Sequence, residues 1–122
     1  MLVAHIELIL LITGLATIGA VLLFLAPATM MKKIFGQAPS DAPSVLIARH
    51  WGLLLSLVGA LLVYAAYDAE VRVPTLIVGI VEKAALALGV FLSPLYHRPA
   101  ALFMALADAG MAAVYLMYLA GV

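Results

Sequence analysis

Four stretches of this 122-residue chain are apolar over the length that a helix needs to cross a lipid bilayer. A hydrocarbon layer about 30 Å thick requires roughly 20 apolar residues, each adding about 1.5 Å of helix. The stretches cover about residues 2–25, 45–67, 74–95 and 100–120 and leave no room for a second domain. We therefore predict an all-α fold in which residues 1–122 form one integral membrane domain.

Short connections between the last three stretches predict that neighbouring spans run in opposite directions. Pro74 and Pro99 lie where the third and fourth helices would begin, since a first helical turn tolerates proline. The predicted architecture is a four-helix antiparallel bundle with up-down-up-down topology. In the longer loop, residues 28–44, the first half around Lys32 and Lys33 predicts a short interfacial helix or turn, and the second half an extended link.

Composition excludes several classes of protein. Hydrophobic residues make up 68% of the chain and charged residues 10%, so an isolated domain of this kind would not be soluble. Six basic and six acidic residues give no net charge, which excludes nucleic acid as a partner. The absence of cysteine excludes disulfides, thiolate nucleophiles and thiolate metal sites. The lipid bilayer is therefore the expected surrounding.

Basic residues are distributed unequally between the two ends of the predicted bundle. The end that includes the loop 28–44 carries more of them than the opposite end, which has Arg72 alone. The residues of the basic end are Lys32, Lys33, Arg49, His97 and Arg98. By the positive-inside rule the loop is cytoplasmic and both termini are non-cytoplasmic. We expect the first span to be retained, since it is too long for a signal peptide and no basic residue precedes it.

Each predicted span has a stripe of small residues that includes at least one ionisable residue. Small residues let helices approach closely in lipid, and a charge is expected to face the bundle centre. The stripes are Glu7, Gly14 and Thr17; Arg49, Gly52, Ser56 and Gly59 or Ala60; Gly79, Glu82, Ala85, Gly89 and Ser93; and Ala101, Ala105, Asp108, Ala112 and Tyr115. The pattern predicts a polar, charged bundle core.

Within that core we predict ion pairs of Asp108 with Arg49 and with Lys83. Glu82 and Glu7 would then lack an assured cation and be neutral, ready to exchange a proton. The candidate residues for a ligand site or proton path are Glu7, Arg49, His50, Ser56, Glu82, Lys83 and Asp108. Three roles remain open for these residues: fixing helix register, binding the polar head of a lipid-like ligand, or carrying protons or ions.

No motif predicts catalytic residues or a metal site. The chain has no glycine-rich phosphate loop, nucleophile elbow or His-Glu-x-x-His helix. A membrane isomerase that uses Glu7, Glu82 or Asp108 as general acid and base is the remaining enzyme class. No cofactor is predicted; haem, for which His50 and His97 would be the ligands, and quinone are disfavoured alternatives.

One further pattern carries a resemblance to a family. It consists of Pro27, Met30, Phe35-Gly36, Arg49-His50-Trp51-Gly52, Gly59, Ala65-Ala66 and Glu82-Lys83. The chain resembles small uncharacterised four-span bacterial membrane proteins and is loosely similar to DoxX-like bundles. This resemblance implies the bacterial inner (plasma) membrane, and some related families are thought to associate with quinone or redox systems.

These observations together favour a small membrane bundle that acts as a non-catalytic accessory or scaffold subunit, or binds a lipid-like ligand. We expect it to form a homo-oligomer or to pair with another membrane protein. A proton-coupled small transporter or channel is the alternative, and the membrane isomerase is the third.

Overall fold

The computed structural model describes residues 2–121 and is helical throughout apart from short connections. Its helices are α1 (Leu2–Ile18), α2 (Val21–Leu25), α3 (Pro27–Phe35), α4 (Ala42–Tyr67), α5 (Arg72–Phe91) and α6 (Pro99–Leu119), with 3₁₀ turns at Ala69–Val71 and Pro94–His97. No strand occurs in this part of the chain. Four helical segments are long and apolar enough to cross a membrane, namely Ala4–Leu25, Ala42–Tyr67, Ala69–Phe91 and Pro99–Leu119. The all-α prediction is confirmed.

The long helices pack in a ring in which α1 contacts α4, α4 contacts α5, α5 contacts α6, and α6 contacts α1. Gly14 of α1 lies against Val63, whereas Gly52, which comes earlier in α4, lies against Leu23, which comes later in the first span. Earlier residues of the first span thus meet later residues of α4, and the reverse. The first span and α4 therefore run in opposite directions. The placement of each terminus relative to a bilayer stays a prediction.

The first span, predicted over about residues 2–25, is present as the segment Ala4–Leu25 and consists of two helices, α1 and α2. Helix α1 ends at Ile18, and the amides of Gly19 and Ala20 donate to carbonyls three residues earlier, at 3.2 and 3.0 Å. This tight turn lies where Gly52 of α4 meets the backbone of Ala20. Because Gly52 has no Cβ, α4 can approach this turn closely.

Helix α3 lies across one end of the bundle, and it is the helix that was predicted in the first half of the loop. Ile34 and Phe35 pack against a cluster of buried residues from α5 and α6, whereas Lys32 and Lys33 are exposed. The helix ends at Gly36, whose φ of 84° is a left-handed conformation that glycine adopts readily. The prediction of a helical first half and a non-helical second half for this loop is confirmed.

Helix α4 begins at Ala42, three residues before the predicted span, because Asp41 caps it. The Asp41 carboxylate accepts a hydrogen bond of 2.8 Å from the Ser44 amide. Hydrogen bonding by the Ser44 side chain and backbone amide holds the pKa of Asp41 below its ordinary value. At the other end of α4, Arg72 donates to the carbonyls of Ala65 and Ala66 at 2.9 and 3.3 Å.

The half of the bundle near Arg72 is filled by apolar side chains. Leu10, Leu62, Leu76 and Tyr115 are fully buried there and belong to one contiguous cluster. The outer surface is also apolar, with Leu92 84% and Phe103 73% exposed. A helical bundle that is apolar on both its inner and outer faces fits a lipid surrounding.

Candidate functional site

A buried lysine lies at the centre of the bundle. Lys83 is only 1% exposed, and its Nζ donates a 2.9 Å hydrogen bond to Thr17 Oγ1. The same nitrogen lies 3.5 Å from Asp108 Oδ1 and 3.8 Å from Glu82 Oε1. A charge in an apolar interior must be paired and hydrogen-bonded to be tolerated, and these contacts provide both.

Small neighbours leave space for these polar side chains. Lys83 lies one turn after Gly79 and one turn before Ala87, and both neighbours are buried. Asp108 lies on the face of α6 that also buries Ala105 and Ala112. Because helical positions three or four residues apart share a face, each of these side chains points into the bundle rather than outward.

Two threonines of α1 extend the polar contacts. The Thr17 hydroxyl donates to the Thr13 carbonyl at 2.8 Å and therefore meets Lys83 as an acceptor. Tyr115, which is fully buried, donates at 2.6 Å to Thr13 Oγ1. Thr13 in turn donates to the Ile9 carbonyl at 2.7 Å. Polar contacts thus join α1 to both α5 and α6.

Glu82 is the member of the site whose hydrogen-bonding capacity is unmet. Both of its carboxylate oxygens are buried, and neither has a hydrogen-bond partner among the described residues. The 3.8 Å approach of Lys83 is an ion pair but is too long for a hydrogen bond. Buried polar atoms without partners are rare in folded proteins, so this carboxylate calls for a functional or structural explanation.

These charged side chains line a cavity of about 340 Å³ between the helices. The polar side chains that line it are those of Thr17, Glu82, Lys83 and Asp108, and the rest of the wall is apolar. The apolar wall includes Leu23, Met30, Trp51, Leu55, Phe103 and Met104. The volume lies at the lower end of the roughly 300–1,000 Å³ typical of small-molecule sites, which are also mostly apolar with a few polar groups.

A second, shallower hollow of about 640 Å³ lies beyond Trp51, at the end of the bundle covered by α3. Trp51 lines both spaces and packs beside Phe35, with ring centroids 6.0 Å apart. The hollow is larger, but Arg98 is the one charged residue that lines it. We take the smaller cavity as the candidate site because buried charges converge there.

Three of the predicted site residues are brought together. Glu82, Lys83 and Asp108 all line the cavity. The predicted ion pair of Lys83 with Asp108 is confirmed at 3.5 Å. The inward placement of Asp108 on the stripe of α6 is also confirmed, since its neighbours Ala105 and Ala112 are buried.

Other predicted residues lie elsewhere. Glu7, Arg49 and His50 are exposed on the outside of the bundle, so the predicted pair of Arg49 with Asp108 is wrong. Ala48 takes the inward place that was expected for Arg49. Ser56 is half-buried, and its hydroxyl donates to the Leu53 carbonyl of its own helix at 2.7 Å.

The buried face of α5 also differs from the predicted stripe. Ala85 and Gly89 are exposed, and the buried face runs instead through Gly79, Lys83 and Ala87. Thr17 and Tyr115 were expected on stripes but not as site residues, although the spacing of Thr13 and Thr17 by one turn was a visible signal. Trp51 as a cavity residue was not predicted.

Among residues 2–121, no group of three or more His, Cys, Asp and Glu side chains could hold a metal ion. No family model, curated protein or solved structure matches this chain. The resemblance to DoxX-like bundles stays a prediction.

Proposed function

We propose that this protein binds a lipid-like amphiphile in the cavity between its helices. The polar head of the amphiphile meets Glu82, Lys83 and Asp108, and its apolar part lies along the surrounding wall. The observation that carries this proposal is the buried Glu82 carboxylate, which lines an apolar cavity and has no hydrogen-bond partner in the described chain. A ligand that brings a hydrogen-bond donor would satisfy it.

The shape of the site supports a ligand that enters from the lipid. Phe103 lines the cavity and is 73% exposed, so the cavity wall extends to the outer surface of α6. Helix α1 packs far less extensively against α6 than against α4, which makes this side of the bundle the weaker one. A volume of about 340 Å³ holds a head group and a short chain segment, and a longer tail would remain in the bilayer.

In this proposal the chain is a non-catalytic accessory or scaffold subunit of the bacterial inner membrane, acting as a homo-oligomer or beside a membrane-protein partner. Its loop 28–44 is cytoplasmic and both termini are on the opposite side. The exposed Lys32 and Lys33 of α3 support this orientation. Arg72, the basic residue of the other end, is held by the carbonyls of Ala65 and Ala66.

Native mass spectrometry of the protein in mild detergent, with extraction of bound lipid, tests the proposal. We expect a defined molecule to co-purify with the wild type and to be lost or strongly reduced in Glu82→Gln and Asp108→Asn. Glu7→Gln is the matched control, since Glu7 is exposed on the same bundle. Circular dichroism shows whether each variant keeps its helices. Identical lipid in all four proteins, or none in the wild type, would contradict the proposal.

A proton-coupled transporter is the alternative that the cluster of ionisable groups favours. Lys83 lies about 12 Å along α5 from the helix end at Phe91, at about 1.5 Å per residue, and is well inside the span. Beyond it, however, Leu10, Leu62 and Leu76 fill the bundle, so transport would require their rearrangement. Proton flux into liposomes that is abolished by Glu82→Gln would favour this alternative.

Chemical conversion of the co-purified molecule would favour the third candidate, the membrane isomerase.

A further inference from the structure

The charges that line the cavity are unbalanced. Glu82 and Asp108 are two carboxylates, and Lys83 is the one cation among the residues that line the cavity. The basic residues at this end of the bundle, Lys32, Lys33, Arg49 and Arg98, are exposed and do not line the cavity. With all three cavity side chains ionised, the site carries one excess negative charge.

The distances show which carboxylate is less well paired and therefore carries the excess negative charge. Lys83 Nζ lies closer to Asp108, at 3.5 Å, than to Glu82, at 3.8 Å, and one of its N–H groups donates to Thr17 Oγ1. Among residues 2–121, no donor reaches the Glu82 oxygens. A ligand head that donates hydrogen bonds and carries positive charge complements an ionised Glu82 in this arrangement.

We infer that the amphiphile is a lipophilic amine whose protonated nitrogen lies against Glu82 and whose hydrocarbon part lies along the cavity wall. The inference rests on the proposed function, because it names the class of the ligand in that same site. An ammonium group supplies both N–H donors and the missing charge, and a charge-assisted hydrogen bond is stronger than a neutral one. An alcohol supplies a donor without charge. A carboxylate or phosphate head would face Glu82 and Asp108 with like charge.

Trp51 provides a built-in reporter. It is the single tryptophan of the chain and lines the cavity. A ligand that enters the cavity changes the surroundings of the indole ring and hence its fluorescence. Trp51 also lines the second hollow, so a change in its emission reports a ligand in either space, and dependence on Glu82, which lines the cavity and not the hollow, assigns the signal to the cavity.

The experiment titrates decylamine, decanol and decanoate into the full-length protein in phosphatidylcholine nanodiscs and follows Trp51 emission. Partition of each probe into empty nanodiscs is measured first and used to correct its concentration. The three probes share one hydrocarbon chain and differ in the charge of the head. We expect saturable binding of decylamine at a lower concentration than decanol, with decanoate the weakest.

Glu82→Gln removes the charge and keeps the shape of the side chain. We expect decylamine to bind about 10- to 100-fold more weakly to this variant, as loss of one charged hydrogen bond implies, with decanol little changed. Glu7→Gln should behave as the wild type. The wild-type comparison of the three probes does not depend on whether Glu82→Gln folds.

The outcomes separate the inference from the proposed function. If decanol or decanoate binds the wild type as well as decylamine, the amine assignment is wrong and amphiphile binding stands. If none of the three gives a saturable change at Trp51, both the assignment and the proposed cavity function are overturned.

Discussion

At the scale of single residues, Lys83 connects more helices than any other polar side chain described above. It extends from α5 to Thr17 of α1 and Asp108 of α6. Its ion pair lies away from water, since the Lys83 and Asp108 side chains are 2% and 13% exposed. In such surroundings the loss of one partner leaves the other charge uncompensated.

We predict that Lys83→Met lowers the free energy of unfolding by about 3 kcal/mol, because Asp108 becomes a buried charge without a cation. The measurement is equilibrium unfolding in mixed micelles with increasing SDS. Lys32→Met, at an exposed position of α3, is the control and should change little. The double variant Lys83→Met/Asp108→Leu should be more stable than Lys83→Met alone. Equal stability of Lys83→Met and the wild type would show that the pair has no stabilising role.

A second residue-scale prediction concerns Tyr115. Its hydroxyl donates to Thr13 Oγ1 at 2.6 Å between α6 and α1, which otherwise have little contact. Hydrogen bonds between membrane helices contribute about 0.6 kcal/mol on average. We expect Tyr115→Phe to lose about that amount in the same unfolding assay. Tyr118→Phe, one turn away on α6, is the control, and a cycle with Thr13→Val should give the same coupling energy. A coupling near zero would mean that the contact is not formed in the membrane.

At the scale of helices, the sequence predicts where along a helix a contact with another helix lies. It predicts less well which face of the helix makes that contact. Gly52 and Gly59 were expected at a helix contact and are buried there. The neighbouring Arg49 was assigned to the same face, but that place belongs to Ala48. One residue corresponds to about 100° of helix rotation, and alanine is also one of the small residues that are common at contacts between membrane helices.

Charges near the ends of a span are the least informative about helix faces. Glu7 and Arg49 both lie near helix ends and are exposed. A long side chain at this depth can extend its charged group to the membrane surface while its stem stays in lipid. Asp108 was correctly placed inside by its stripe of small residues, and Lys83 by its predicted ion pair with Asp108.

The close contact between α1 and α4 is tested by replacing Gly59 of α4. An added Cβ would lie 2.5 Å from the Ile18 amide nitrogen and 2.7 Å from the Gly14 carbonyl oxygen, and backbone atoms cannot easily move away. We predict that Gly59→Ala destabilises the protein by about 1–3 kcal/mol through overpacking. Gly110→Ala is the matched control on α6, since an added Cβ there has no neighbour within 4 Å among the described residues apart from its own stretch of helix. It should be neutral or slightly stabilising in the same assay. Equal effects at both positions would contradict the close contact of α1 with α4.

We expect the stability that the Asp41 cap gives to the start of α4 to depend on pH. Because Ser44 lowers the pKa of Asp41 from its ordinary value of 3.8, the folded state favours the ionised carboxylate. The cap therefore contributes fully above pH 3.8 and is lost as the pH falls through the lowered folded-state pKa. We expect the wild type to lose more thermal stability in this range than Asp41→Asn, whose amide caps the helix without titrating. Parallel pH profiles of the two proteins would show that the cap is not coupled to folding.

For the whole molecule, the bundle divides into a packed half and a half that contains the cavity. Leu10, Leu62 and Leu76 fill the packed half. In the other half, α3 packs beneath α5 and α6 and contributes Met30 to the cavity wall. The helices and the loop could be predicted from the sequence. The cavity could not, since it depends on the turn at Gly19 and on the position of α3 relative to three other helices.

The orientation of the whole molecule in the membrane is the last prediction. Because the chain has no cysteine, single cysteines introduced at exposed loop positions can be labelled selectively. Ser40 lies on the side of Lys32 and Lys33, and Glu70 lies at the opposite end beside Arg72; both are exposed. The positive-inside rule places the lysine side in the cytoplasm. We expect a membrane-impermeant maleimide to label Glu70→Cys in intact bacterial spheroplasts and Ser40→Cys only after lysis. The reverse pattern would invert the proposed orientation, and labelling of both in intact spheroplasts would indicate that the protein inserts in two orientations.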